Sequence, residues 1–226
     1  MLMRRSGLLL ASICLFASIP AVAQTSALGK ELTPYGAELK GNEAGTIPPW
    51  TGGLTPDQMP ALQDKLENPF EKEKPLFTIN AANLAQYRDQ LSPGQRALLE
   101  RYPDSYALPV YPSHRTAAAP QWVYDNIARN HGSARLVNEG NGIEQAVGGV
   151  PFPVPLNAQG EVDAVRILWN HLTRWRGIHV QADISEAPVQ PNGSYSLVST
   201  AQEAYFVYYD RTKQWQDLDN KLSYYM

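Results

Sequence analysis

A helical pattern of apolar residues is the clearest signal in this chain. After Asp163, apolar side chains recur every three or four positions on one predicted face: Val165, Leu168, Trp169, Leu172 and Trp175. Asp163 stands in the first turn, where the helix dipole favours an acid, and Gly177 is placed to end the helix. Because this face carries two tryptophans, we expect it to pack on a broad apolar surface.

A proline-rich stretch, GGVPFPVP from Gly148 to Pro155, comes before this helix. From Pro151 onward every second residue is a proline, and Phe152 stands between the first two. Proline fixes φ and has no N–H to donate, so the stretch cannot be a central strand. We therefore predict an extended edge or a polyproline II arm.

Three further helices are predicted upstream. Asn80 is a plausible N-cap for the first, and the sequence SPGQ from Ser92 is a capping box with proline at the first helical position of the second. Two short helices in succession predict an αα-hairpin. The third begins at Pro120 and carries Trp122 and Ile127 on its apolar face.

Alternation with a period of two replaces the helical pattern after Gly177. Pro191-Asn192-Gly193 is a hairpin signal between two such runs. Further strands are predicted over Ala204–Tyr209, from Trp215, and over Leu222–Met226. Together these elements predict an α+β fold with an antiparallel sheet. Such a meander needs more strands to cover its edge, so we expect this chain to be the N-terminal part of a larger domain.

The first 75 residues have a different character. Residues 1–23 combine a basic start, a short apolar centre and an Ala-x-Ala end, which is typical of a secretory signal peptide cleaved after Ala23. Twin-arginine export through Arg4-Arg5 and lipidation of Cys14 are weaker alternatives. Residues 24–75 carry glycine and proline around single apolar anchors such as Trp50, which predicts an extended arm rather than a disordered segment.

Composition narrows the function classes. Cleavage removes Cys14, the only cysteine, so the mature chain can form neither a disulfide nor a cysteine-bound metal site. It also removes two of the 19 basic residues and none of the 22 acidic ones, which makes the mature chain more acidic. That balance disfavours nucleic acid and anionic membrane surfaces as partners. No apolar run is long enough for a membrane-spanning helix.

Catalytic and metal-binding motifs are not found. The four histidines lack the spacing of a metal site, and the carboxylates are dispersed, so we predict no metal, no cofactor and no enzyme. The pair His114-Arg115, in a proline-rich loop, is the best polar candidate. An arginine in an ordered loop more often fixes backbone carbonyls than binds a ligand.

The aromatic residues allow two interpretations. In the first they simply fill the core. In the second, a curved sheet capped by helices leaves an apolar cavity for a lipid or another hydrophobic molecule. In that case the lining or lid would include these four residues: Trp122, Phe152, Trp169 and Trp175.

Several long stretches resemble the DUF1329 family of exported Gram-negative proteins. They are the stretches Glu31–Gly53, Lys74–Ala117, Gly148–Pro155 and Leu168–Gly177. The family is often labelled outer-membrane lipoprotein-sorting-like and is placed with the LolA/LolB-like fold, an incomplete antiparallel β-barrel whose concave apolar face is covered by helices. Its members are longer than this chain. The resemblance thus implies a cavity and provides no catalytic residue.

These observations predict a periplasmic binding or carrier protein for a hydrophobic, lipid-like molecule, with outer-membrane transport and association as an extension. We expect residues 1–23 to be the signal peptide, 24–75 the arm, and 76–226 helices plus antiparallel sheet. The alternative is a structural or partner-docking protein of the envelope, without a ligand cavity. A filled core beneath Trp169 would favour the alternative.

Overall fold

A computed structural model of the chain describes residues 27–55, 68–219 and 221–225. The chain divides into two compact units, Gly29–Asn126 and Ile127–Met226. The boundary lies within a helix. The predicted signal peptide, residues 1–23, lies outside the described residues.

The first unit combines two short strands with two short helices. Its elements are β1 (Phe77–Ile79), α1 (Leu84–Tyr87), α2 (Pro93–Arg101), β2 (Leu108–Val110) and the start of α3 (Gln121–Ser133). Strands β1 and β2 pair antiparallel. The side chains of Ile79, Leu84 and Leu99 form the buried core between these elements.

Local sequence signals explain where the two short helices begin. The Ser92 hydroxyl accepts a hydrogen bond from the Gln95 N–H, and the Gln95 side chain accepts one from the Ser92 N–H, which confirms the capping box. Helix α1 begins later than predicted, with Asn83 at its N-cap. Asn80 instead closes the preceding turn, because its side chain accepts from the Ala82 N–H.

The segment 29–55 has no helix in its described residues and is fastened to the loop before α3. The Trp50 indole N–H donates to the Ala117 carbonyl over 2.9 Å, and the Leu54 N–H donates to the Thr116 carbonyl over 3.0 Å. The Trp50 ring also meets the Tyr124 ring edge to face. Trp50 is thus a fixed anchor point of this segment.

The second unit contains the rest of α3 and two antiparallel sheets. Its other elements are β3 (Arg135–Val137), β4 (Gly142–Glu144), α4 (Ala164–Leu172), β5 (His179–Glu186), β6 (Val198–Tyr205) and β7 (Tyr224–Tyr225). Strands β3 and β4 pair with each other, and β5, β6 and β7 form a sheet in that order. The prediction of an α+β fold with antiparallel sheet is confirmed. The described strands do not close into a barrel.

The longest strand pair is the predicted hairpin. Strands β5 and β6 pair over their full length, and the connection contains Gly193 at a φ of 81°. A further bridge joins Val189 to Tyr195. Most of β5 and the first half of β6 are exposed to solvent.

One predicted strand is cut short and another is absent, and a 3₁₀ turn forms in each place. Strand β6 ends at Tyr205, and Val207–Tyr209 is a 3₁₀ turn. The segment Trp215–Leu218, where another strand was predicted, is also a 3₁₀ turn. In the first turn the hydroxyl of Tyr209 donates to the Thr173 carbonyl, and that of Tyr208 also bonds a buried carbonyl. These tertiary contacts override the β propensity of the sequence.

Helix α4 is shorter than its apolar pattern predicted. Asp163 is its N-cap and accepts from the N–H groups of Val165 and Arg166. The helix ends at Leu172, and Thr173 follows as its C-cap with non-helical backbone angles. The Thr173 hydroxyl donates to the Trp169 carbonyl over 2.7 Å. Trp175 therefore lies beyond the helix, where its ring contacts Tyr209 edge to face.

The apolar face of α4 is turned outward rather than onto the sheet. Four of its apolar side chains are exposed: Val165 (38%), Ile167 (46%), Leu168 (54%) and Leu172 (41%). Trp169 and Asn170 face inward with Thr173, which is buried. The predicted covering of the sheet by this helix is not found among the described residues, since both surfaces are exposed.

The proline-rich stretch is a buried part of the core. Val150, Pro151 and Phe152 are all buried, and Phe152 packs with Ala134 and Ala146. A buried irregular segment must find hydrogen-bond partners outside regular structure. The Asn170 side chain provides two of them: its carbonyl accepts from the Phe152 N–H over 2.9 Å, and its amide donates to the Phe152 carbonyl over 2.6 Å.

No helix in the described part of the chain has the length and apolar character needed to cross a bilayer.

Replacing Asn170 tests the importance of this contact. Asn170→Leu leaves the N–H and the carbonyl of Phe152 without their partner in a buried site, so we expect the free energy of unfolding to fall by about 2–4 kcal/mol. Gln86→Leu, an amide replaced on the exposed side of α1, should change it by less than about 0.5 kcal/mol. Denaturant unfolding measures both. Equal effects of the two substitutions would show that the Asn170 bonds contribute nothing.

The turn after the Val207–Tyr209 segment should make the free energy of unfolding depend on pH in the acid range. The carboxylate of Asp210 accepts from the Tyr205 hydroxyl and from the Thr212 N–H and hydroxyl, which lowers the pKa of Asp210 to about 2. A lowered pKa means that the stabilisation is complete above the ordinary pKa of 3.8 and is lost as the pH falls toward about 2. Denaturant midpoints measured through this window should fall less in Asp210→Asn. An unchanged slope in that variant would contradict the assignment.

Candidate functional site

A cleft of about 490 Å³ in the second unit is the candidate site. It lies between the β3–β4 hairpin, helix α4 and the two 3₁₀ turns. Its apolar lining consists of Ile143, Ala146, Trp169, Tyr208, Trp215, Leu218 and Leu222. Its polar lining consists of Asn138, Asn141, Glu144, Gln216, Asp219 and Lys221. Three aromatic side chains therefore share one concave surface with a set of polar groups.

Trp169 is fixed on one wall of this cleft. Helix α4 presents its ring to the core beside Leu136 and Ile143, and the indole N–H donates to the Gly140 carbonyl over 2.9 Å. Because the only polar atom of the indole is satisfied by the protein, the ring offers an apolar surface to the cleft. The Arg166 guanidinium lies next to the same core, over the Phe152 ring at 4.7 Å.

The loop that receives this hydrogen bond has an unusual backbone. Asn138, Glu139 and Gly140 have φ values of 51°, 57° and 91°, all in the left-handed region. Residues other than glycine rarely adopt this backbone conformation, so Asn138 and Glu139 carry local strain. A Cβ at Gly140 would also stand 3.0 Å from Val165 Cγ1. The sequence at this wall is therefore constrained by the backbone as well as by packing.

Tyr208 forms the deepest part of the cleft. Its side chain is 2% exposed, and its hydroxyl donates to the Gly149 carbonyl over 2.7 Å. Burial, with a smaller effect from Tyr209, raises the pKa of Tyr208 well above its ordinary value. The hydroxyl thus keeps its proton at neutral pH and acts as a hydrogen-bond donor within the core. Its backbone N–H donates to the Leu222 carbonyl over 3.2 Å, which ties the cleft to the last strand.

The polar groups at the mouth include one ion pair. The Lys221 ammonium lies 2.7 Å from a carboxylate oxygen of Asp219, which has a φ of 47°. Each partner stabilises the charge of the other, so the pKa of Lys221 is raised and that of Asp219 is lowered, in each case chiefly through the side-chain hydrogen bond. Both side chains are well exposed, so the pair contributes little to stability and remains available to a ligand.

The predicted cavity aromatics lie in different surroundings. Trp169 lines the cleft, and Phe152 is buried in the core directly beside it. Trp175 is not part of the cleft lining and contacts Tyr209 instead. Trp122 lies on the part of α3 that belongs to the first unit. The structure thus brings Trp169 and Phe152 together and leaves the other two elsewhere.

Two aromatic residues of the cleft were not among the predicted site residues. Tyr208 and Trp215 were assigned to strands, where side chains alternate between two faces. Each instead belongs to a 3₁₀ turn, and their convergence depends on contacts distant in sequence. The density of aromatic residues after Ala204 was the only available signal.

The polar pair His114-Arg115 holds the first unit together. Arg115 donates to three successive carbonyls, those of Glu38, Leu39 and Lys40. The His114 ring stacks on Phe70 at 3.8 Å, and its Nε2 lies 2.8 Å from a Glu73 carboxylate oxygen. The guanidinium therefore fixes backbone, as the commoner interpretation of such an arginine predicts.

The cleft combines apolar rings with charged and amide side chains. Its lining includes the carboxylates of Glu144 and Asp219 and the ammonium of Lys221, and its tyrosine has a raised pKa. Within the described residues, no group of three or more metal-ligating side chains lies together. The geometry does provide rigid rings and convergent polar tips, which are the usual elements of a ligand site.

Comparisons with known proteins agree with one another. A family model described as "Protein of unknown function (DUF1329)" matches residues 78–226. The uncharacterized protein PA3922 of Pseudomonas aeruginosa is 43% identical over 196 residues, which are 85% of this chain and 42% of that protein. The chain thus spans less than half of the length of this relative. No solved structure matches the chain.

Gly140 allows a direct test of the cleft wall. Gly140→Ala must place a Cβ 3.0 Å from Val165 Cγ1 at a φ of 91°, so we expect the free energy of unfolding to fall by about 2–3 kcal/mol. Gly160→Ala is the matched control, because Gly160 also has a positive φ but nothing within 4 Å of its added Cβ. It should lose about 1–2 kcal/mol. Equal losses in the two variants would refute the close contact with Val165.

Proposed function

The chain belongs to the DUF1329 family, and we propose that it binds and carries a hydrophobic, lipid-like molecule in the periplasm. Neither the family description nor the name of the matched relative states an activity, so the proposal depends on the residues of this chain. The observation that carries it is the cleft lined by Trp169, Tyr208 and Trp215.

The size of the cleft suits such a ligand. Small-molecule sites have volumes of about 300–1,000 Å³, and the cleft has about 490 Å³. An acyl chain would lie against the rings, whose polar atoms are already bonded in the cases of Trp169 and Tyr208. A polar end group would reach Lys221 and Asn141 at the mouth.

The evidence for export and for the architecture of the proposed carrier comes from the sequence. The leader pattern of residues 1–23 supports the periplasm, and the family resemblance supports a LolA-like incomplete β-barrel and a link to the outer membrane. In this proposal residues 76–226 are the N-terminal part of a larger LolA-like domain, and residues 24–75 form its arm. The exposed surfaces of β5 and β6 support a sheet that has further contacts to make.

A second candidate is a partner-docking protein of the cell envelope. The observation that favours it is the exposed apolar face of α4, together with exposed apolar side chains in the β5–β6 connection such as Val189 and Leu197. A docking protein would use these surfaces and would leave the cleft empty.

Ligand binding can be tested on the chain from Gln24 onward, which keeps every described residue. A fluorescent fatty acid should bind saturably, and organic extraction of the purified protein should release lipid. Trp215→Ala removes one aromatic wall, so we expect binding to weaken about tenfold. Tyr195→Ala, an exposed aromatic in the β5–β6 connection, is the control and should bind as the parent does.

The result that rejects the carrier proposal is equally specific. It is rejected if the parent protein shows no saturable binding and yields no lipid, or if Trp215→Ala binds as tightly as Tyr195→Ala. Thermal melting of both variants shows whether each retains the fold of the parent.

A further inference from the structure

The segment Ala164–Ala182 has a charge opposite to that of the chain as a whole. The chain carries a net charge of −3, yet these residues include no aspartate and no glutamate. They do include three arginines and two histidines: Arg166, His171, Arg174, Arg176 and His179. The Arg166 side chain lies against Asp163 and that of His179 against Glu203, so the exposed basic side chains of helix α4 and the turn after it are His171, Arg174 and Arg176.

The outward face of α4 is apolar. Ile167, Leu168 and Leu172 are between 41% and 54% exposed, and Val165 is 38% exposed. The opposite side carries Asn170, which bonds the Phe152 backbone, and the buried Thr173 follows the helix, whereas His171 is exposed beside Leu172. Most of the outward face of α4 is therefore apolar, unlike that of a usual surface helix.

Two arginines stand at the C-terminal end of this apolar face. The Arg174 guanidinium donates to the His171 carbonyl over 2.7 Å, which holds it beside the helix end, and its side chain is exposed. Arg176 lies over the Phe206 ring at 4.4 Å and is also exposed. Arg166 is different, because it faces inward over Phe152 and lies 3.3 Å from Asp163.

We propose that the outward face of α4, with Arg174 and Arg176, docks on the surface of an anionic lipid bilayer. A helix with one apolar face and neighbouring cations suits the interface, where leucine and isoleucine enter the acyl boundary and guanidinium groups meet lipid phosphates. The occupant is specified by this charge complementarity. A purely apolar partner surface would leave the two arginines without counter-charges.

The acidic balance of the whole chain does not oppose this docking. Charges further apart than about 8–10 Å are largely screened at physiological ionic strength, so the surface nearest the bilayer determines the attraction. Along the sequence that surface has no acid from Ala164 to Ala182. The inference is separate from the cleft, and it stands whether or not the cleft binds a ligand.

Vesicle flotation tests the docking with the chain from Gln24 onward, so that the apolar leader contributes nothing. We expect flotation with vesicles of phosphatidylcholine and phosphatidylglycerol, weaker flotation with phosphatidylcholine alone, and release by salt. The pair Leu168→Gln and Leu172→Gln should lower the partition coefficient about tenfold or more. Arg174→Gln with Arg176→Gln should lower it about tenfold and remove most of the salt dependence.

A matched control distinguishes binding through the face of α4 from binding through any exposed apolar side chain. Val189→Gln with Leu197→Gln removes two side chains that are 70% and 64% exposed in the β5–β6 connection, and it should float as the parent does. Circular dichroism melts confirm that all variants fold.

The proposal would be overturned by no flotation of the parent protein, by equal flotation with neutral and anionic vesicles, or by a loss in the control as large as that in the α4 variants. A dimer of the parent chain in solution that Leu168→Gln disperses would also overturn it, because the apolar face would then be covered by a second copy.

Discussion

The second unit depends on satisfying the backbone of a buried segment that has no regular structure. The stretch from Val147 to Phe152 belongs to no strand, Pro151 has no N–H to donate, and the buried carbonyls still need partners. Side chains provide them. Asn130 of α3 bonds Val147 and Gly149, Asn170 of α4 bonds Phe152, and the Tyr208 hydroxyl bonds Gly149.

These bonds connect elements that share little other regular contact. A helix that comes before the segment, a helix that comes after it and a 3₁₀ turn near the end of the chain each donate to it. Leaving any one of these buried polar groups unpaired costs about 1–3 kcal/mol, a large part of the stability of a small domain. The positions of α3, α4 and the Val207–Tyr209 turn are therefore fixed together.

The same hydrogen bonds hold the walls of the cleft in place. Tyr208 bonds the segment through its hydroxyl and lines the cleft with its ring. Trp169 lies next to Asn170 on α4 and reaches the Gly140 carbonyl. A binding surface whose rings are held by the core is preorganised, so a ligand would not have to order it.

Local signals in the sequence predicted local structure well. The capping box at Ser92 and the hairpin around Gly193 each depend on a few neighbouring residues, and each is present. The apolar stripe of α4 was correctly located from Val165 to Leu172, whereas Asp163 is the N-cap rather than a residue of the first turn, and Trp175 lies beyond the helix. The amphipathic pattern identifies which face of the helix is apolar. It does not show where that face points, because the orientation depends on the hydrogen bond between Asn170 and Phe152, eighteen residues earlier.

The parts that could not be predicted depend on contacts distant in sequence. Alternation and aromatic content indicated a strand through Tyr209, whereas the buried bonds of Tyr208 and Tyr209 impose a turn. Trp215, in the next 3₁₀ turn, also lines the cleft, and no local pattern marks that residue for a site. The sequence indicated only roughly that Trp169 lies beside Phe152, because the helical pattern directly follows the proline-rich stretch.

The proline spacing of the buried stretch also determines how its motion can be observed. Pro151 and Pro153 have no amide hydrogen, so amide exchange would be silent at the positions that flank Phe152. The Gly148 amide donates to the Tyr208 carbonyl over 2.8 Å, and the Phe152 amide donates to Asn170, so both report on contacts with other elements. The exchange rate of the Gly148 amide reports on the contact with the 3₁₀ turn, and that of the Phe152 amide reports on the contact with α4. Opening of the core on either side can therefore be observed separately.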